Sequence, residues 1–128
     1  MQDNHLFEYA IIRVVPRVER EEFLNVGVIL YSKSLQFLQA IYTLDEQRLL
    51  SLYPDIDIAE VKKHLDAFEK ISIGNKEGGP IAALDIASRL RWLTAKRSTV
   101  LQTSGVHPGL CKDANATLRK LHSQLVVC

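Results

Sequence analysis

Long apolar runs are missing from this chain. No stretch approaches the about 20 consecutive residues that a bilayer-spanning helix requires. The opening residues, MQDNHLFEYA, also lack the basic-then-apolar order of a secretion signal. The expectation is a cytoplasmic protein with no membrane partner. Cysteine is scarce too: Cys111 and Cys128 are the two present, they form no metal-ligand spacing, and in a reducing compartment they are expected as free thiols. Charge of one sign is not in excess, since the formal net charge is +1. Catalytic signatures are absent as well. There is no G-x-S-x-G, no H-E-x-x-H and no C-x-x-C pair. The Gly78-Gly79 loop lacks the G-x-x-x-x-G-K-[ST] pattern and the strand–loop–helix setting of a phosphate loop. No cofactor and no metal are expected, and whether the protein is an enzyme is left open, with a non-catalytic role favoured.

What remains is an ordinary globular composition. At 128 residues and 47% hydrophobic content, the chain fits a single domain that buries roughly two-thirds of its unfolded surface. Its charge is uneven. Residues 1–85 hold nine Lys/Arg against fourteen Asp/Glu, whereas residues 86–128 hold seven Lys/Arg against Asp113 alone. Such asymmetry accompanies an anionic partner or reflects two complementary halves of one domain. The basic stripe is sparse for a dedicated duplex binder.

Strand signals come first. Leu6–Val15 alternates, with Phe7, Tyr9, Ile11, Arg13 and Val15 on one face, and Pro16 ends it. Phe23–Tyr31 and Leu35–Thr43 follow, giving an antiparallel meander. Helical signals come next. Asp45 opens a short helix that ends before Pro54, Asp57 and Glu60 start a second with Val61, Leu65 and Phe68 on one face, and Asp85 caps a third. Ser98–Thr103 reads as a further strand, Gly105–Gly109 as a turn-rich segment, and Asp113 caps a last helix carrying Leu118, Leu121 and Leu125. The fold class is α+β: an antiparallel sheet of three to four strands with about four helices packed on one face.

Polar interruptions in the first two strands mark the candidate site. If opposed residues sum to 38, Arg13 faces Asn25, Ile11 faces Gly27 and Tyr9 faces Ile29. A guanidinium then lies beside a carboxamide, with open space over Gly27, and the planar fork of arginine suits carboxylate or phosphate. The competing reading is an internal ion pair of Arg13 with Glu22 or Glu8, and a glycine that makes room for Trp92. Arg20 and Glu22 lie in a mixed-charge connector that reads as a solvated loop or a partner surface. In the segment RLRWLTAKRST, Trp92 is expected in the core, while Arg97 and Ser98 fall in a connection suited to a ligand. His107, in a His-Pro-Gly turn, is the best-placed histidine for proton chemistry or binding, without a second histidine at ligand spacing. A Cys111–His107 nucleophile pair has only sequence proximity in its favour.

The run FEYAIIRVVPRVEREEFLNVGVILY, with RWLTAKRSTVLQTSGVHPGLC later, resembles the bacterial family known as domain of unknown function 3037. The similarity extends from about Leu6 to Leu125, and its best-marked piece is matched by Arg13, Pro16, Arg20, Glu22, Asn25 and Gly27, with Arg91, Trp92, Arg97 and Ser98 matching a second. The resemblance implies no activity and no catalytic residue. Members of that family are often encoded beside HipA-like protein kinases, so it does imply an accessory role with a protein partner.

Three functions follow as expectations. The first is a non-catalytic accessory module that binds a protein partner, of HipA-like kinase type, near the first hairpin. The second is a small enzyme or sensor that takes a phosphorylated or nucleotide-like anion through Arg13, Arg20, Asn25, Arg97, Ser98 and His107. The third is nucleic-acid binding by the basic C-terminal third.

Overall fold

The alternating and β-branched N-terminal third forms strands β1 (His5–Val14), β2 (Leu24–Ser32) and β3 (Phe37–Tyr42), an antiparallel meander. The structure is a computed structural model and describes residues 4–127. Two later strands, β4 (Leu101–Thr103) and β5 (His107–Cys111), both pair antiparallel with β1, on the edge away from β2. The result is a five-stranded sheet with its centre on β1 and β2.

The strand β5 replaces the turn expected over Gly105–Gly109. Proline removes a ladder donor, so Pro108 belongs on an edge, and β5 pairs only with β1. Gly109 has its own cause. A Cβ there would meet the far edge of the Phe7 ring at 2.5 Å, so the glycine lets that edge approach the β5 backbone. Between the two short strands, Ser104 continues the ladder: its N–H donates to the Ile11 carbonyl at 2.8 Å, and its hydroxyl accepts from the Ile11 N–H at 2.8 Å.

Four helices follow the cap signals: α1 (Glu46–Leu52), α2 (Ile58–Ile73), α3 (Ile86–Leu93) and α4 (Ala114–His122). Asp45, Asp57, Asp85 and Asp113 each accept from the backbone N–H three residues on, at 3.0–3.2 Å, which satisfies an orphan donor of the first turn. Gly74, at φ 74°, ends α2 in the left-handed region where glycine costs least. One turn of π-helix, Ser123–Val127, extends α4.

The helices do not share a face, contrary to expectation. Helices α1–α3 cover one side of the sheet, packing Leu49, Val61, Leu65, Phe68, Leu90 and Leu93 against Ala10, Ile12, Val14, Val26 and Ile29. Helix α4 covers the other, packing Leu118 and Val126 against Phe7, Val28, Leu30 and Cys111. A central strand sandwiched by helices is apolar on both faces, which is why β2 reads Val-Gly-Val-Ile-Leu without alternation.

A bulge at Val26 sets the β1–β2 register. Arg13 opposes Asn25 as expected, but Ile12 opposes Gly27, Ile11 opposes Val28 and Tyr9 opposes Leu30. The extra residue shifts every later pair by one, correcting the Ile11–Gly27 and Tyr9–Ile29 pairing. It also reverses the phase of β2: Leu24 and Val26 face α1–α3 before it, Ile29 and Tyr31 after it. The space expected over Gly27 is filled, since a Cβ would lie 2.7 Å from the Ile41 carbonyl oxygen and 2.8 Å from Tyr42 Cβ. The glycine admits β3, not Trp92 and not an open hollow.

Candidate functional site

Helix α3 stops at Thr94, whose hydroxyl donates to the Leu90 carbonyl at 2.8 Å. The loop that follows is stapled to β4: the Thr99 hydroxyl donates to the Leu101 carbonyl at 2.8 Å, and Gln102 Nε2 donates to the Thr99 carbonyl at 2.9 Å. Arg97 folds back on the helix end. Its guanidinium donates to the Trp92 carbonyl and sits 4.3 Å over the centre of the indole ring, a cation–π arrangement. Since β4 pairs with β1, Gln102 lies opposite Arg13. Loop and strand thereby enclose a cavity of about 450 Å³, lined by Arg13, Lys96, Arg97, Ser98, Gln102 and Thr103 among others.

The electrostatics of this cavity have one sign. Three cations line it, and no carboxylate does among the described residues. Arg13, Lys96 and Arg97 take part in none of the ion pairs formed among the described residues. Arg13 is held by packing, its guanidinium carbon 4.1 Å over the Phe23 ring. Its Nε is buried without a hydrogen-bond partner, and so is the Thr103 hydroxyl. Buried polar groups are nearly always paired, and an unpaired one costs about 1–3 kcal/mol, more when charged. Both residues border the cationic cavity, whose wall is therefore rich in groups that can donate hydrogen bonds.

The other residues singled out in the sequence separate from this centre. Asn25 stands opposite Arg13 but is not part of the cavity wall. Its Nδ2 donates to the Leu125 carbonyl at 3.3 Å, and its Oδ1 is buried without a partner. Arg20 and Glu22 pair with each other at 2.8 Å, and Arg17 pairs with Glu19 at 2.8 Å. Their hydrogen bond raises the Arg17 pKa and lowers that of Glu19. Four of the five charges of the connector thus pair among themselves, Glu21 standing outside both pairs, and neither Glu22 nor Glu8 pairs with Arg13. His107 pairs with Tyr9 in the sheet, with ring centroids 5.3 Å apart. Four residues along β1 place it roughly 13 Å from Arg13, too far to share a ligand atom.

Trp92 is 40% exposed, not the core residue its leucine neighbours suggested, because the indole forms a platform for Arg97. Cys111 is buried in the α4 core, and that burial pushes its thiol pKa up, the opposite of what activates a nucleophile. Cys128 lies outside the described residues. Among the described residues, no three His, Cys, Asp or Glu side chains converge to hold a metal ion, and no helix is long and apolar enough to cross a membrane. Lys96, Gln102 and Thr103 complete the cavity, although the sequence did not single them out. Only the pairing of β4 with β1 brings them to Arg13, and a three-residue strand leaves little periodicity to read.

A second hollow, of about 1090 Å³, lies at the far end of the sheet between α3 and the start of β1, lined by Leu6, Glu8, Tyr31, Leu90, Arg91 and Val106 among others. Leu6 and Leu110 oppose each other there and are 62% and 65% exposed.

A family model described as a protein of unknown function (DUF3037) matches residues 9–126. No curated protein matches the chain, and no solved structure does.

Proposed function

Because the chain belongs to the DUF3037 family, whose description carries no activity, we propose its role from the geometry: a binding module that holds an anionic group, phosphate or carboxylate, in the cavity of Arg13, Lys96, Arg97 and Ser98. The observation that carries this reading is a cavity whose wall holds three cations, none of them in an ion pair among the described residues, and no carboxylate. An anion there supplies the negative charge that these cations lack within the protein. The remaining C-terminal cations are dispersed. Arg89 is turned toward the Ala82 carbonyl, Arg91 lines the larger hollow, Lys112 follows β5, and Arg119 and Lys120 ride on α4, on the opposite side of the sheet from α3. That dispersal favours a small anion over a nucleic-acid strand, which needs a continuous basic track. The direct test is thermal unfolding with inorganic phosphate at constant ionic strength. A ligand that binds the native state raises Tm with concentration; a Tm no higher in phosphate than in chloride rejects the reading.

A second reading is the accessory module acting with a protein partner, of HipA-like kinase type. The exposed Leu6, Val106 and Leu110 beside the larger hollow favour it, since clustered apolar surface marks protein contacts. Co-purification with such a kinase, weakened by Leu110→Glu, is the expected result; two proteins that never co-elute and never alter each other's Tm reject it.

A further inference from the structure

The cationic cavity does not end at β4. A second cleft, of about 250 Å³, adjoins it and shares Ala95, Arg97, Gln102 and Thr103 as common wall. The two differ in chemistry. The cleft is closed by Ala67, Phe68 and Ile71 of α2, Trp92 and Leu93 of α3, and Leu101 of β4, with His64 also in its wall. It therefore offers apolar carbon and an indole where its neighbour offers charge. Their volumes together fall in the ~300–1,000 Å³ range of small-molecule sites.

We infer that the two cavities form one site for a nucleoside monophosphate, the phosphate among Arg13, Lys96 and Arg97 and the base in the apolar cleft. The inference rests on the anion reading above. Three features select this class. Trp92 is the sole tryptophan and is partly exposed beside the cleft, and an aromatic platform is worth roughly 1–3 kcal/mol to a stacked base. Two polar residues, Gln102 and Thr103, belong to both walls and mark the junction where a sugar with hydroxyls on several carbons passes from one cavity to the other. No carboxylate lines either cavity among the described residues, so nothing in the wall holds the divalent cation that accompanies a triphosphate. Arg97 couples the halves, since it belongs to both walls and rests on the indole.

The test compares AMP, adenosine and inorganic phosphate by calorimetry and by the fluorescence of the single tryptophan. AMP is expected to bind at least tenfold more tightly than phosphate or adenosine and to change Trp92 emission. Trp92→Leu is expected to bring AMP down to the affinity that phosphate shows for the same variant. Ala67→Phe, which fills the cleft from an exposed position on α2, is expected to do the same without touching the indole. If AMP binds no better than phosphate, or Ala67→Phe leaves its affinity unchanged, the nucleotide inference is overturned and the anion site stands. If neither phosphate nor AMP binds, both fall together.

Discussion

Arg13 and Asn25 oppose each other across the bulge in β1–β2, yet they serve different ends: the guanidinium joins the cavity under the α3–β4 loop, and the carboxamide ties down the turn that ends α4. One pair of facing polar residues divides into a member that lines the cavity and one bonded to the end of the C-terminal helix. Substitutions at the two positions are therefore expected to separate.

Arg13→Met keeps an unbranched stem over Phe23 and removes the unpartnered donor. Loss of the cation–π contact, about 0.5–2 kcal/mol, opposes relief of the buried charge. Urea unfolding is expected within about 1 kcal/mol of wild type, together with loss of the Tm rise in phosphate. A variant that retains the whole phosphate shift removes Arg13 from the site.

Asn25→Ala is expected to behave in reverse. Without the bond to the Leu125 carbonyl, amide exchange across residues 123–127 quickens, while phosphate affinity is little changed, because Asn25 is not part of the cavity wall. A tenfold loss of phosphate binding would place the carboxamide in the site after all.

Gly27→Ala tests the register. The added methyl has backbone on one side and Tyr42 Cβ on the other, both closer than 3 Å, so β3 must move. Overpacking of this kind costs about 1–3 kcal/mol, read as a lower urea midpoint. An unchanged midpoint would mean that β2 and β3 do not approach as described.

Cys111 is expected to resist thiol reagents in the folded protein, because burial raises its pKa and removes access. In a Cys128→Ser background, labelling at pH 7.5 should be negligible natively and complete in urea. Rapid native labelling would mean that the α4 core opens.

Much of this fold is legible in the residues themselves. The four aspartate caps sit where the apolar periodicity begins, and Arg13–Asn25 pairing follows from the length of the connector. What escapes the sequence is long-range or masked by composition. The bulge is hidden because Val-Gly-Val-Ile-Leu is apolar in either phase, so the reversal of its faces leaves no mark. Strand β5 is disguised by Pro108 and Gly109, which signal a turn locally but belong to an edge strand packed on Phe7. The wall of the candidate cavity was half legible: Arg13, Arg97 and Ser98 stand out as polar residues in strand or connection, whereas Thr103 and Gln102 join them only through sheet pairing. His107 stood out for its chemistry and lies elsewhere, since residue type says nothing about distance.

The most direct measurement is a phosphate titration followed through the arginine Nε–Hε resonances of the isotope-labelled protein. The account predicts that the cross-peaks of Arg13 and Arg97 move together and saturate with one dissociation constant, while those of Arg20 and Arg89 stay in place. Cross-peaks of Arg13 that remain fixed while phosphate binds, or a Tm rise that survives without any arginine responding, would contradict it.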